Sequence, residues 1–259
     1  MTAKRNPVVT EKVFAVPRGT NPVLVCGLPG SGYVGKLAAD HLVSTFKLKK
    51  VSEYTSSTFP PQVSVRSDGT ADPPRGELFY AAVKKSRGLL VFTADAQPTT
   101  SEGEYELSDA VVKFAKKCGV RQVYTLAAYI TGSFSKSPKV YGSGTSKRMV
   151  GLLGDSGVTL MKDGGISGMN GLLIGVAAIR GLEGACLLGE TSGYVVDAGA
   201  SKAVLELLSK VLDIPIDTSK LKEKAEETSN VISQLQAMAD QARETTSQPS
   251  REQRPGYIG

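Results

Sequence analysis

NPVLVCGLPGSGYVGKLAADHLVSTF, residues 21–46, changes its periodicity in the middle. Val23–Cys26 form a short apolar run, rich in β-branched residues and closed by Gly27, which predicts a buried strand. From Gly32 onward the apolar residues Val34, Leu37, Ala38, Leu42 and Phe46 recur at helical spacing, with His41 on the same face. A strand thus turns sharply into a helix through a loop containing Gly27, Gly30, Gly32 and Gly35. The same alternation continues along the chain. KKVSEY (49–54), GLLVFTA (88–94), VRQVYTLAAY (120–129), GVTLM (157–161) and GACLLGET (184–191) read as strands. Helices are predicted over 101–119, 145–157, 168–181 and 201–213. The proline-rich stretch 59–83 reads as edge strands and turns. Continuous apolar strands alternating with helices argue for an α/β sheet covered on both faces.

The composition narrows the chemistry. The 259 residues carry 31 Lys+Arg against 25 Asp+Glu, a net charge of +6 with the signs mixed, so no basic nucleic-acid arm stands out. Cys26, Cys118 and Cys186 are far apart and form no CxxC, which suggests reduced, buried thiols in a cytoplasmic protein. His41 is the one histidine, so no two-histidine metal site exists, and its mid-helix position suggests a structural role. The N-terminus lacks the apolar core of a signal peptide. The longest apolar run, GLLIGVAAI (171–179), is too short to span a bilayer. No membrane or nucleic-acid partner is expected.

Two glycine-rich helix starts compete between binding and packing. Gly30, Gly32 and Gly35 satisfy G-x-G-x-x-G after a strand, and Glu53 follows near the place of a ribose-binding acid, so a dinucleotide site is one reading. The loop also nearly spells a P-loop from Gly30 to Lys36, but Leu37 stands where a magnesium-binding hydroxyl is required. The plainer reading is a tight turn whose glycines allow close packing. KDGGISGMNGLL (162–173) is the second such start, with anion binding and packing as its alternatives. Asp95, Glu102, Glu104 and Glu106 gather beyond a strand's carboxyl end, where acid–base work or cation binding is conceivable. Ser101 with Glu104 as a capping box explains them more simply.

Beyond residue 217 the pattern changes. Leu221, Ala225, Thr228, Ile232, Leu235, Ala239 and Ala242 follow a 4-3 heptad spacing, readable as a helix packed on its own domain or as an oligomer seam. The expected organisation is an α/β domain over 1–217, a heptad-like helix over 218–244 and a disordered polar tail over 245–259.

Several segments in order, GLPGSGYVGKLAADHL (27–42), FPPQVSV (59–65), ADAQP with YEL (94–107), TLAAYITG (125–132), GGISGMNGLLIG (164–175) and LLGETSGYVVDA (187–198), resemble the archaeal branch of the proteasome assembly chaperone 2 family. The likeness spans roughly residues 20–245. It implies a three-layer α/β/α phosphorylase-like fold and no enzymatic reaction or cofactor, so no specific binding of NAD, FAD or ATP. It also implies a homo-oligomer that engages proteasome α-subunits or another protein assembly. Some relatives dock a C-terminal tail ending hydrophobic–tyrosine–any residue. Here Tyr257, Ile258 and Gly259 end the chain, so tyrosine is third from the end rather than second. The competing expectation is a nucleotide- or dinucleotide-dependent enzyme that uses the Gly30–Gly35 loop.

Overall fold

The structure is a computed structural model that describes residues 8–84 and 87–230. Its centre is four parallel strands: β2 (Val23–Gly27), β7 (Arg87–Ala94), β8 (Gln122–Ile130) and β11 (Glu183–Thr191). They lie in the order β7-β2-β8-β11, with Val25 level with Val91 on one side and Tyr124 on the other. Every residue of β2 is buried, as a strand covered on both faces requires. On one flank β6 (Gly76–Lys84), β3 (Lys49–Ser56) and β1 (Val9–Val13) add antiparallel to one another. On the other, β9 (Val140–Gly144) runs antiparallel to β11 and carries β10 (Thr159–Leu160) at the edge. A separate small hairpin joins β4 (Ser64–Val65) and β5 (Ala71–Asp72).

Helices cover both faces, which is the three-layer α/β/α arrangement expected from the sequence. On one face α1 (Val34–Thr45), α3 (Lys147–Asp155) and α5 (Ala198–Leu212) enclose a core that includes Val25, Leu42, Val91, Leu126, Leu153 and Leu205. On the other, α2 (Ser101–Lys117) and α4 (Gly168–Ile179) enclose Leu24, Phe92, Val111, Phe114 and Leu173. A last helix, α6, runs over 219–230 within the described residues.

Four details differ from expectation. β6 is an interior strand between β3 and β7, not an edge, because the prolines of 59–83 all precede Gly76 and leave its ladder donors intact. β9 was hidden in a glycine- and serine-rich segment. A Cβ on its Gly142 would stand 2.7 Å from Val158 Cγ1, so here glycine marks crowding rather than a loop. β1 was not expected at all; its alternating exposure marks an edge strand. Finally, the cap of α2 is Thr100, whose Oγ1 accepts from Gly103 N at 3.1 Å. The Ser101–Glu104 capping box is therefore incorrect by one residue, although Glu102 and Glu104 do sit in the first turn, where they complement the helix dipole.

Leu221 and Ala225 of the heptad-spaced helix also need reassignment. Leu221 is buried in the core under α1 and α5, and Ala225 packs against the same core. These two positions face their own domain, and Thr228 is half-buried beside them. Ile232, Leu235, Ala239 and Ala242 lie outside the described residues. His41 serves this joint: its Nε2 stands 2.6 Å from the Asp217 carbonyl oxygen, which can only accept, so Nε2 carries the proton and ties α1 to the start of α6.

Candidate functional site

In an open α/β sheet, ligands bind beyond the carboxyl ends of the strands, where successive connections leave to opposite faces. Here β2 leads into α1 on one face and β7 leads into α2 on the other, so the crevice lies between the loops that follow them. Gln97, from the loop after β7, spans it. Its Nε2 donates to the Pro29 carbonyl at 2.6 Å and its Oε1 accepts from Met169 N at 3.1 Å. One side chain thus joins the glycine turn to the start of α4. The second glycine-rich segment, read from sequence as packing or anion binding, spends the N–H of Met169, in the first turn of α4, on this glutamine.

The glycine turn is built for contact between backbones. A Cβ at Gly27 would lie 2.0 Å from the Gly35 carbonyl oxygen, and a Cβ at Gly35 would lie 2.0 Å from the Leu126 carbonyl oxygen. These two glycines let α1 rest directly on β2 and β8. Gly32 takes φ +62°, and the next residue, Tyr33, takes φ +52°, a left-handed conformation that costs a side-chain-bearing residue about 1 kcal/mol or more. Glu53 is not near this turn. It lies on β3, three strands from β2 in the sheet, and binds Lys50 at 3.2 Å and Arg75 at 3.1 Å. Burial pushes its carboxyl up, but these two cations outweigh that and hold it below the usual range. The ribose-binding role envisaged for Glu53 is therefore incorrect: the chain leaves α1 for a flank of the sheet, not for the strand beside β2.

A buried polar clasp holds the other side of the rim. Asp197, 2% exposed, caps α5 by accepting from Ala200 N at 2.8 Å, and accepts from Thr191 Oγ1 at 2.8 Å. Its own N–H donates to the Gly32 carbonyl at 2.8 Å, and Ser201 Oγ donates to Val34 O at 3.0 Å. Replacing Asp197 with alanine removes the cap and takes away the acceptor of the Thr191 hydroxyl proton. A loss of about 2–3 kcal/mol is expected in chemical denaturation, with asparagine recovering part of it.

What these contacts present to solvent is apolar. Thr131 N donates to Thr191 O at 2.9 Å, and a Cβ on Gly193 would sit 3.3 Å from Ile130 Cγ2 and 3.8 Å from Ser31 Cβ. The ends of β8 and β11 and the glycine turn therefore meet. There Tyr33, Ile130, Tyr194, Val195 and Val196 are exposed, Tyr194 to 85%. Sequence reading passed over this rim, although YVV between Gly193 and Asp197 is an apolar triplet in a turn, and such a triplet signals contact rather than core.

The other candidates do not converge. Asp95 accepts from Arg75 N at 3.0 Å and pins its own loop. Glu104 and Glu106 lie along α2, and among the described residues no group of three or more His, Cys, Asp or Glu is placed to hold a metal. The three cysteines are buried and unbridged. Burial pushes the Cys118 thiol to about 11 and the Cys186 thiol to about 12, and it raises Cys26 as well. None is a thiolate at neutral pH. Among the described residues no helix is long and apolar enough to cross a membrane. Tyr257, Ile258 and Gly259 lie outside the described residues.

Comparison with known proteins agrees with this geometry. A Methanocaldococcus jannaschii protein, MJ1210, is 35% identical over 254 residues, covering 97% of this chain and 98% of that one. The crystal structure of Pyrococcus furiosus PbaB, an archaeal proteasome activator, matches with a TM-score of 0.82 at 33% identity, covering 89% of this chain and all of that one (100%). PbaA of the same organism, an archaeal homolog of proteasome-assembly chaperone, matches with a TM-score of 0.72 at 28% identity, covering 91% and 95%. The model of the PAC2 family matches residues 24–236, from within β2 to beyond the described part of α6, and so takes in the glycine turn, the Gln97 bridge, the Asp197 clasp and the apolar rim: the chain belongs to the PAC2 family.

Proposed function

We propose that this protein is a non-catalytic, ATP-independent proteasome assembly chaperone or activator-like adaptor that forms a homo-oligomer and binds the α-ring of the proteasome core particle. The likeness to PbaB along nearly the whole chain carries this reading. The carboxyl-end rim supports it in physical terms. Where an enzyme of this sheet type gathers its reactive groups, this chain has a glutamine bridge, a satisfied aspartate and exposed apolar side chains. Such a surface suits protein contact. The C-terminal residues Tyr257, Ile258 and Gly259 supply an apolar anchor and a carboxylate, the combination that a peptide-binding pocket captures.

The direct test is binding of the purified full-length protein to an archaeal core particle without nucleotide. Co-elution is expected, and its absence at micromolar concentrations rejects the partner. Self-association has its own test. Ile232 and Leu235 continue the 4-3 spacing beyond the segment where Leu221 and Ala225 are used up by the domain itself. Replacing both with aspartate places two charges in the proposed seam. Light scattering is expected to show a smaller assembly with an unchanged circular-dichroism spectrum. An unchanged mass means that this helix does not hold the oligomer together.

A further inference from the structure

At the opposite end of the sheet, the amino ends of β7, β8 and β11 border a cavity of about 470 Å³ between α3 and the end of α5. Arg87, Arg121, Arg148, Gln122, Tyr124 and Glu183 line it. Its chemistry is one-sided. Three guanidinium groups face a single carboxylate, and that carboxylate is already engaged: Glu183 accepts from Ser146 Oγ at 3.0 Å and from Arg148 Nε at 2.9 Å. The remaining donors find poor partners. Gln122 Nε2 points at the Met149 sulfur at 3.8 Å, a weak acceptor. Among the described residues neither Arg87 nor Arg121 has a carboxylate at ion-pair distance. At the floor the Tyr124 side chain is fully buried, yet its hydroxyl has no hydrogen-bond partner. A buried, unpaired hydroxyl costs about 1–3 kcal/mol, so one aimed into a cavity of cationic donors marks a place prepared for an acceptor. Burial pushes this phenol up to about 12, against the opposing pull of Arg87 and Arg148, so it keeps its proton at neutral pH and acts as a donor.

We propose that this cavity binds a phosphate group, with Arg87 and Arg121 as its cationic clamp and the Tyr124 hydroxyl donating from the floor. A phosphate offers several acceptor oxygens to planar guanidinium forks, which suits a set of donors that lacks acceptors. The space exceeds what the phosphate group alone needs, so a phosphomonoester with a small organic body fits as well as the free ion. The site lies at the other end of the strands from the apolar rim and does not depend on the partner proposed above.

Calorimetric titration of the full-length protein with inorganic phosphate and, separately, with ribose 5-phosphate, at constant ionic strength, tests the assignment. Saturable binding of one equivalent per chain is expected for at least one probe. Tighter binding of ribose 5-phosphate assigns a phosphomonoester; equal or tighter binding of inorganic phosphate assigns the free ion. Arg121→Gln, at an exposed position that the fold does not need, is expected to weaken binding at least tenfold. Tyr124→Phe, which keeps the ring and removes the orphan hydroxyl, is expected to weaken it severalfold while raising the melting temperature of the ligand-free protein. Failure of both probes to saturate, or wild-type affinity in Arg121→Gln, overturns the proposal.

Discussion

Gly35→Ala is expected to lower the melting temperature by about 6–12 °C. The added Cβ would lie 2.0 Å from the carbonyl oxygen of Leu126, in the middle of β8. Neither atom belongs to a flexible side chain. Relief requires α1 to lift from the sheet, which pulls Val34, Ala38 and Leu42 away from the core they share with Val25 and Leu126. Overpacking of this kind costs about 3 kcal/mol at the upper end of its usual range. For a domain of this size each kcal/mol shifts the melting temperature by about 2–4 °C. Gly175→Ala is the contrasting control. It lies on the exposed side of α4 with nothing within 4 Å of the new Cβ, so the helix gains about 0.5–1 kcal/mol from reduced backbone freedom. Opposite signs from one chemical change check the claim that the first helix start is a packing device. A neutral Gly35→Ala would mean that α1 does not rest on β8 as described.

The contrast between those glycines also marks how far the sequence was legible. The four central strands and α1, α2, α4 and α5 were readable because each buries a continuous apolar run or stripe, and burial writes period into sequence. β9 was not, since its close approach to α3 demands small residues, and small residues in a row look like a loop. β6 was misplaced because its neighbours' prolines obscured an uninterrupted strand. At the candidate site, the glycines were visible but ambiguous. Sequence fixes spacing, whereas the difference between a phosphate cradle and a packed turn lies in what stands opposite. Here that is the Leu126 carbonyl and a glutamine 67 residues after Gly30, and no local pattern announces either. The Asp197–Thr191 clasp was not read at all, because the helix was expected only from Ser201, three residues after α5 begins. Its hold on the glycine turn through Gly32 is a long-range contact. The phosphate cavity was invisible for the same reason: Arg87 opens β7, Arg121 directly precedes β8 and Arg148 lies in the first turn of α3, and only the folded chain brings these distant positions to one cavity.

Deleting Tyr257–Gly259 is expected to weaken binding to the core particle by at least tenfold, while leaving the melting temperature and the oligomer mass unchanged. The geometry favours action at a distance. Within α6, Leu221 is anchored near α1 and α5, and Ala225 lies beside the amino end of α5, where a Cβ on Gly199 would sit 3.7 Å from it. The helix therefore runs toward the carboxyl-end rim, and the chain leaves the described residues on that side. Twenty-nine residues remain after Asn230, of which the last fifteen, fully extended, reach about 50 Å. For the docking proposed above, a tail of this length spans the distance to pockets on a partner without the domain itself touching them. In an oligomer several such tails act together, so a modest contact per tail becomes a large one for the assembly, and loss of three residues is multiplied likewise. The placement of tyrosine gives a sharper check. Removing Gly259 alone makes Tyr257 second from the end, the position implied by the family resemblance. Affinity is then expected to rise severalfold, because the anchor and the carboxylate enter the pocket in register. If the three-residue deletion binds as the full chain does, the tail is not the docking element, and the apolar rim of Tyr33, Ile130 and Tyr194–Val196 becomes the surface that must carry the contact. Tyr194→Asp would then abolish the binding that the deletion spared.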